Sequence, residues 1–432
     1  MRERINIFWF RRDFRLDDNT GLFHALNAEF PVLPIFIFDK NILDKLNQDD
    51  ARVTFIYQRI LQIKEQLENR DSSLLVYYDA PINVFKKLIT EYDIQSVFAN
   101  KDYEPFARER DEKINSLLEA SGVKFQTFKD HVIFEENEIL KDSGEPYTIF
   151  TPYSKKWKSV QGDNEIKGFP SEQKLRNLIK IAPFDLPELN KIGFKASKIQ
   201  IPEPNISKEL ITNYALKRDI PAETGTSRLG VHLRFGTVSI RKVTQLARNL
   251  SEVFLNELIW RNFFIDILWH FPHVVNKSFK PKYDLIQWRN NEDEFEKWSR
   301  GVTGYPFVDA GMRELNATGF MHNRVRMVTA SFLTKHLLID WRWGEAYFAE
   351  KLLDFELASN NGNWQWAAGT GCDAAPYFRI FNPESQQKKF DPESNYISKW
   401  IPEYGTLQYP HPIIDHSFAR ERALKVYSEA LR

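Results

Sequence analysis

Three segments in the second half of the chain combine residue types that could do chemistry. The first is GTSRLG, residues 225–230, which places two hydroxyls and an arginine directly before a helical pattern. Backbone N–H groups, hydroxyls and a guanidinium at a helix start suit a phosphate group. The segment lacks the GK[ST] of a Walker loop, and taken alone it favours an ordinary capped helix start with a surface arginine.

The second segment is MHNRVRM, residues 321–327, which predicts the start of a helix. Arg324 and Arg326 stand two positions apart, so their side chains point in different directions on a helix. One guanidinium could face inward and the other an external anion. Asp354 and Glu356 offer acidic partners later in the chain, so an ordinary interhelical salt bridge fits this pattern equally well.

The third segment is NNGNWQWAAGTGCDAAPYFRIFNP, residues 360–383. It is dense in Asn, Gly and Trp, yet it stands between helical patterns of buried character. A polar, glycine-containing segment inside a core normally contacts a ligand or forms a tight turn. We expect a ligand at this segment.

Tryptophan is unusually frequent: the chain has 11, of which nine follow residue 200. A tryptophan commonly fills a large core and finds a partner for its N–H group, and that explanation suffices for most single positions. The concentration in one half of the chain calls for a second explanation.

These segments must be positioned by two different kinds of structure. The first 130 residues alternate short apolar runs with helical patterns, which predicts a parallel α/β sheet covered on both faces. The expected strands are 5–10, 32–38, 74–78, 96–100 and 123–128, and the expected helices lie near 20–29, 51–70, 81–92 and 104–121. No GxGxxG follows the first strand, so this domain need not hold the main cofactor.

The remaining chain changes its pattern twice. Residues 131–203 are rich in Lys, Glu, Pro and Gly and predict a long connector with a few short helices. From 204 to 432 the apolar spacing is helical and no strand is expected. The predicted domains are therefore 1–130, 131–203 and 204–432.

Composition narrows the class of protein. Net charge is zero, so no global basic field indicates nucleic acid, although a basic patch could still exist. No run approaches the ~18 apolar residues of a membrane span, and the N-terminal run with charges on both sides predicts a strand and not a secretory signal. The single cysteine, Cys372, excludes internal disulfides, argues against a structural zinc site and fits a reducing, cytoplasmic setting.

Four long segments together resemble the photolyase/cryptochrome family, and class I cyclobutane pyrimidine dimer photolyases most of all. They are FWFRRDFRLDDN, GYPFVDAGMRELNATGFMHNRVRM, LIDWRWGEAYF and LLDFELASNNGNWQWAAGTGCDAAPYFRIFNP. The resemblance runs from the first strand to about residue 400. It implies a Rossmann-like parallel-sheet α/β domain followed by a large all-α domain that binds FAD and DNA.

The resemblance also implies the residues that hold FAD. Tyr214 and the 226–229 segment match the phosphate-binding residues, and Gly230 stands where a serine is usual. Asp354 and Arg326 match an ion pair beside the isoalloxazine ring, and Asn360 matches the residue that faces flavin N5. The complete implied set is Tyr214, Thr226, Ser227, Arg228, Leu229, Gly230, Phe254, Arg261, Arg326, Asp354, Phe355, Glu356 and Asn360.

Two further sets follow from the resemblance. Trp364, Trp341 and Trp288 match an electron-transfer chain from the flavin outward to solvent. The substrate set contains two tryptophans that could stack on a flipped dimer, and Glu257, which could hydrogen-bond it and, if protonated, stabilise its radical anion. The implied substrate and DNA set is Arg218, Glu257, Trp260, Arg261, Phe264, Asn323, Arg324, Met327, Trp366 and Gln386.

The expected function is therefore repair of cyclobutane pyrimidine dimers in DNA, driven by blue or near-UV light through electron transfer from reduced FAD. The alternatives are a cryptochrome-type photoreceptor without repair activity and a non-enzymatic flavoprotein that binds nucleic acid. Histidines at positions 323 and 327 would indicate a 6-4 photolyase, but the chain has Asn323 and Met327. A monomer is expected, and no bound metal.

Two departures from the family pattern stand out. The run after ELIW is usually REFY, whereas Arg261 is followed here by Asn262, Phe263 and Phe264, which removes a carboxylate and a phenol. Folate-binding members carry an Asn-Glu pair where this chain has Phe106 and Ala107. A folate antenna is therefore not expected, which leaves a deazaflavin, a flavin or no antenna.

Overall fold

In the computed structural model, which describes residues 3–432, the N-terminal region forms one parallel sheet. Its strands are β1 (Arg4–Phe10), β2 (Val32–Asp39), β3 (Leu75–Asp79), β4 (Asp93–Asn100) and β5 (Lys124–Phe128). The order β3-β2-β1-β4-β5 is that of a doubly wound α/β fold. Every residue of β2 and all but the first of β1 are buried, as expected for central strands covered on both faces.

Eighteen α-helices are described. They are α1 (Thr20–Leu26), α2 (Lys40–Leu43), α3 (Ala51–Glu68), α4 (Pro81–Glu91), α5 (Pro105–Ala120), α6 (Phe150–Gln161), α7 (Lys208–Lys217), α8 (Gly230–Arg234), α9 (Ile240–Leu250), α10 (Glu252–His270), α11 (Glu292–Arg300), α12 (Pro306–Thr318), α13 (Asn323–Ser331), α14 (Trp341–Lys351), α15 (Leu357–Ala368), α16 (Pro383–Phe390), α17 (Asn395–Trp400) and α18 (His416–Leu431). A π-helical turn, Phe332–His336, follows α13.

Helix starts in the α/β region follow local chemistry. The side chain of Asn19 accepts a hydrogen bond from the Leu22 N–H at the start of α1, and Asp50 does the same for Arg52 in α3. Proline begins α4 and α5, where a missing N–H costs nothing. The predicted α/β architecture is confirmed, with each expected strand and helix present within a few residues.

The chain divides into two units that are not contiguous in sequence. The first unit comprises residues up to 135 with 163–203 and 229–249, and the second comprises 136–162, 204–228 and 250–432. This division differs from the three consecutive domains expected at 1–130, 131–203 and 204–432.

Buried ion pairs explain why the segment 229–249 belongs to the first unit. Arg241 on α9 donates to Asp130 at 2.8 Å and pairs with Asp18 at 3.1 Å. Arg15 donates to the same Asp130 carboxylate at 2.7 Å. Burial alone would raise the pKa of Asp130, but the two guanidinium groups hold it well below its usual range. The helical pattern of this segment carried no sign of these long-range partners.

Hydrogen bonds to α10 explain why α6 belongs to the second unit and not to a connector. The Tyr153 hydroxyl donates to Asp266 at 2.6 Å, and the Trp157 indole N–H donates to Asn262 at 3.3 Å. Both aromatic side chains are 1% exposed. Asn262, which stands where the family pattern usually has a carboxylate, therefore has a buried hydrogen-bond partner in this chain.

The second unit is helical, and residues 204–432 contain no strand in the described structure. Its main core collects apolar side chains of α12 to α15 and the π-helical turn, including Phe307, Leu333 and Trp341. None of the helices described in residues 3–432 is long and apolar enough to cross a membrane.

Candidate functional site

The predicted phosphate segment offers unused polar groups in the helical unit. The side-chain hydroxyls of Thr226 and Ser227 make no hydrogen bond within residues 3–432. Arg228 is exposed, its φ of 51° lies in the left-handed region, and its guanidinium lies 3.9 Å from the centre of the Phe320 ring. Strained non-glycine residues of this kind cluster at ligand sites.

Leu229 and Gly230, the last two residues of that predicted segment, belong to the first unit. Leu229 is 4% exposed, and Gly230 begins the short helix α8. Their proposed part in cofactor binding stays a prediction.

Tyr214 on α7 packs against the buried Phe254 of α10, with ring centres 5.0 Å apart. The Arg218 guanidinium lies 5.4 Å from the Tyr214 ring. Burial raises the pKa of the Tyr214 phenol above its ordinary value. This hydroxyl therefore remains protonated at neutral pH and can donate a hydrogen bond.

Two ion pairs form among the residues expected beside the flavin ring. Arg326 and Asp354 make a bidentate pair with N–O distances of 3.2 and 2.9 Å, and the Arg326 Nε–H donates to the Met321 carbonyl. Arg261 and Glu356 pair at 2.7 Å. The forked contact fixes the plane of the Arg326 guanidinium group. Phe355 packs against the main helical core.

Asn360, the residue expected to face flavin N5, is held by a hydrogen bond from its side chain to the backbone of α14. Its side-chain amide donates to the backbone carbonyl of Glu345 at 3.0 Å. Burial raises the pKa of the Glu345 carboxyl to about 7, although the Asn360 and Arg342 side chains oppose the shift. Sequence reasoning missed Glu345, because nothing in WRWGEAYF distinguishes it from a surface glutamate.

The expected electron-transfer tryptophans are associated with one core. Trp341 and Trp364 belong to it, at 0% and 2% exposure, and the half-buried Trp288 packs against it. The Trp341 indole N–H has no partner in the described part of the chain. Trp298, which the sequence did not single out, contacts Trp364 with ring centres 6.1 Å apart.

Glu257 forms an ion pair with Arg218 in the expected substrate region. Burial raises the pKa of Glu257, while the attraction of Arg218 opposes the shift. Arg218 was expected to take a DNA phosphate. In this structure it already has an anionic partner, so a phosphate would share it with Glu257.

Arg324 is also engaged within the chain. It pairs with Asp219 at 2.7 Å, lies over the Phe390 ring at 4.3 Å and contacts the Met327 sulfur at 3.8 Å. Asp219 also lies 4.0 Å from Arg218, so one carboxylate connects two arginines that were predicted to bind phosphates. Sequence reasoning missed Asp219, although its position directly after Arg218 was a usable signal.

The other substrate residues differ in exposure. Asn323 is exposed at the first position of α13, and Trp260, Met327, Trp366 and Gln386 are half-buried. The side-chain oxygen of Gln386 is buried and has no partner within residues 3–432. Trp260 lies in an aromatic group, with Phe264 at 5.4 Å and Phe150 at 3.6 Å between ring centres.

The segment matching the folate site lies in the first unit. Phe106 is 43% exposed and Ala107 is buried. Asp102 and Glu104 both pair with Arg12, at 3.0 and 3.1 Å. These carboxylates have partners inside the protein, and the expectation against a folate antenna stays a prediction.

Together the groups of the helical unit fit a flavin dinucleotide. Thr226, Ser227 and Arg228 supply unused donors and a cation for phosphates, as a pyrophosphate requires. Asp354 and Arg326 supply an oriented ion pair for a polar ring system. Arg228 is exposed and forms no ion pair within 4.0 Å among residues 3–432, so its guanidinium can take an anionic ligand.

Comparison with known families agrees with this geometry. Residues 6–171 match the DNA photolyase family model, and residues 254–408 match the FAD binding domain of DNA photolyase. The chain therefore carries an FAD-binding domain. Together the two matches include the sheet and most of the helical unit.

Relatives of known name match along their whole length. The deoxyribodipyrimidine photo-lyase of Halobacterium salinarum is 34% identical and covers 99% of each chain. The crystal structure of a bacterial class III photolyase from Agrobacterium tumefaciens superposes with a TM-score of 0.88 at 32% identity, covering 100% of this chain and 98% of that one. An archaeal photolyase from Sulfolobus tokodaii, solved with two FAD molecules, gives 0.83 at 33% identity, with 98% and 99% covered. On this evidence the chain belongs to the photolyase/cryptochrome family.

Proposed function

We propose that this protein repairs cyclobutane pyrimidine dimers in DNA, using blue or near-UV light and bound FAD. The observation that carries the proposal is the end-to-end similarity to a protein named deoxyribodipyrimidine photo-lyase. Family membership alone would leave the activity open, since one fold supports several functions. The retained substrate set, with Glu257 and Trp260 one helical turn apart on α10, supports repair over signalling.

FAD supplies the light-excited electron when it is bound in its reduced form. The chain's own residues bind and orient this group. Thr226, Ser227 and Arg228 hold the phosphates, and Tyr214 adds a protonated hydroxyl. The Arg326–Asp354 and Arg261–Glu356 pairs fix the polar edge of the ring, and Asn360 presents its side-chain amide to it.

The lesion site combines aromatic and polar groups. Trp260 and Trp366 offer half-buried rings on which a flipped dimer can stack. Glu257 and Asn323 hydrogen-bond its carbonyl and imino groups. Once Arg218 turns to a DNA phosphate, the burial that raises the pKa of Glu257 favours its protonated, donating form. Flipping costs a few kcal/mol, and less at a lesion that already stacks poorly.

The DNA backbone meets a different set of side chains. Arg218 and Arg324 take phosphates by exchanging or sharing their partners Glu257 and Asp219. Gln386 donates a hydrogen bond to a phosphate oxygen through its side-chain NH2 group, since phosphate oxygens only accept. These contacts position the strand but carry no sequence information, as a lesion-specific enzyme requires.

Trp364, Trp341 and Trp288 form the electron-transfer chain that reduces the cofactor before repair. Their common association with one core supports this role, because indole is readily oxidised and stepwise transfer needs such rings close together. The half-buried Trp288 is the outermost member, from which solvent reductants can restore the chain.

The experiment that tests the proposal illuminates the reduced, FAD-loaded protein with an oligonucleotide that contains one dimer. We expect the dimer to disappear under blue or near-UV light and to persist in the dark. An unchanged dimer with reduced FAD bound would contradict repair and favour the cryptochrome alternative. Binding without any light-dependent change in the DNA would indicate a non-enzymatic flavoprotein.

Four finer points belong to the same proposal. We propose a monomer in a cytoplasmic setting, a class I substrate set, and an antenna that is a deazaflavin, a flavin or absent. The second FAD in the Sulfolobus tokodaii structure makes a flavin antenna worth testing first. An absorption band beyond that of FAD in the purified protein would indicate a second chromophore. The elution volume of the protein on gel filtration would report its oligomeric state.

A further inference from the structure

Phe150, the first residue of α6, stacks on Trp260. Their ring centres are 3.6 Å apart and the rings are within 4° of parallel. Both side chains are half-buried, so the stack lies at the surface of the helical unit. Phe150 therefore covers one face of the indole that the proposed function assigns to lesion binding.

Three hydrogen bonds fix the position of Phe150. The carboxylate of Asp373 accepts from the Phe150 backbone N–H at 3.0 Å. Further along α6, the hydrogen bonds from Tyr153 to Asp266 and from Trp157 to Asn262 anchor the helix to α10. Because both donors are 1% exposed, α6 cannot shift without losing buried hydrogen bonds. Phe150 is thus held in a fixed position beside Trp260.

Asp373 connects the start of α6 to the chain segment that follows the second substrate tryptophan. It lies in the segment that follows α15, seven positions after Trp366 on that helix. The contact between Asp373 and Phe150 therefore joins the segment after Trp366 to the ring that packs on Trp260. A change at either residue should alter the spacing of the two rings that receive the dimer.

We infer that Phe150 and Asp373 are positioning residues for lesion recognition: Phe150 sets the plane of Trp260, and Asp373 ties the start of α6, which carries Phe150, to the segment that follows the helix of Trp366. The inference rests on the proposed function, since it requires Trp260 to contact the dimer. Because the two rings lie parallel and in contact, the Phe150 ring restricts the tilt of the indole.

The test measures dark binding of the FAD-loaded protein to dimer-containing and undamaged DNA, for Phe150→Ala, Trp260→Ala and the double variant. We expect Phe150→Ala to weaken dimer binding about 5-fold and to leave binding of undamaged DNA unchanged. Phe150→Tyr should restore binding, because it keeps the ring. Ile149→Ala is the matched control, since Ile149 is 52% exposed and directly precedes Phe150.

The double variant separates positioning from general structural damage. If Phe150 acts through Trp260, removing Phe150 from the Trp260→Ala protein should change dimer binding less than about 1.5-fold. An equal effect in both backgrounds would overturn the inference. Asp373→Ala should weaken dimer binding in the same direction, and Asp373→Asn, which keeps an acceptor, should restore it.

The failure of the positioning role and the failure of the proposed lesion site give different binding results. If Trp260→Ala weakens dimer binding and Phe150→Ala does not, the positioning role is wrong and the proposed lesion site stands. If Trp260→Ala itself has no effect, the proposed lesion site is wrong and the inference is overturned with it. Repair yield at saturating DNA should fall less than 2-fold in Phe150→Ala, because the ring affects binding more than the reaction of bound dimer.

Discussion

The tryptophans of the helical unit form two groups that differ in exposure. Trp341 and Trp364 are 0% and 2% exposed and lie in one apolar core, whereas Trp260 and Trp366 are half-buried. A ring closed off from solvent can exchange electrons with neighbouring rings, but it cannot receive a base from outside. A ring with one open side can stack on a base. Exposure therefore distinguishes the two inner members of the proposed electron-transfer chain from the two proposed lesion-binding rings, whereas Trp288, the outermost member of the chain, is half-buried like the latter.

The largest effect should come from Trp364→Phe, which breaks the buried group. We expect this variant to lose photoreduction of oxidised FAD, because the ring that Trp298 and Phe348 contact is no longer readily oxidised. Repair by chemically reduced protein should remain. The measurement is the rate of FAD bleaching under blue light. Unchanged photoreduction would show that the electron-transfer chain is assigned wrongly.

The reciprocal change is Trp366→Ala, which breaks the half-buried group. We expect dimer binding to weaken about 10-fold, since one stacked base contributes about 1–3 kcal/mol, while photoreduction stays at the wild-type rate. Titration of fluorescent dimer-containing DNA in the dark measures the first quantity. Loss of photoreduction in this variant would mean that the two groups are not functionally separate.

A smaller effect should follow from Gly344→Ala on α14. An added Cβ would overlap the Trp364 ring and lie 2.6 Å from Leu333 Cδ2, so the packed ring has to move. We expect a loss of about 1–3 kcal/mol in the free energy of unfolding, with slower photoreduction. Denaturant unfolding measures the stability. Ala346→Ser, at an exposed position of the same helix, should change it by less than about 0.5 kcal/mol.

The smallest effect concerns the pH dependence of stability and Glu345, the half-buried neighbour of Asn360. The pKa of the Glu345 carboxyl is about 7 in the folded protein against an ordinary value of ~4.3, so between these pH values the folded protein keeps a proton that the unfolded chain has lost. Stability should therefore fall as pH rises from about 4.5 to 7, by about 1–2 kcal/mol once solvent screening of this half-buried carboxyl reduces the full effect of the shift. Glu345→Gln should remove this part of the pH dependence, whereas Glu350→Gln, on the exposed face, should retain it. Identical profiles for wild type and Glu345→Gln would refute the prediction.

The α/β sheet was predictable because its signal is local. Buried parallel strands are apolar along their length, so β1 and β2 are visible as continuous runs, and Pro81 and Pro105 mark helix starts directly. Even here, strand order could not be read from the sequence. Pairing between β1 and β4 joins residues far apart in the chain, and only the tertiary structure contains that contact.

The unit boundaries were less predictable because they depend on a few long-range contacts. The composition of residues 136–162 predicts a connector, yet Tyr153 and Trp157 attach this segment to α10 by buried hydrogen bonds. The helical pattern of residues 229–249 predicts that they belong to the helical domain, yet Arg241 attaches them by ion pairs to Asp18 and Asp130. A single buried hydrogen bond or ion pair has no periodic signature, so composition cannot reveal it.

The sequence by itself determined the family, the α/β and all-α architecture and the residues that match a flavin site, because long motifs keep residue type and spacing. The tertiary structure decided which partners those residues have: Arg218 with Glu257, Arg324 with Asp219, and Asn360 with Glu345. It also placed Phe150 on the face of Trp260. The physical reason is that burial and ion pairing arise between distant segments, and they alone fix exposure, protonation and the orientation of a ring.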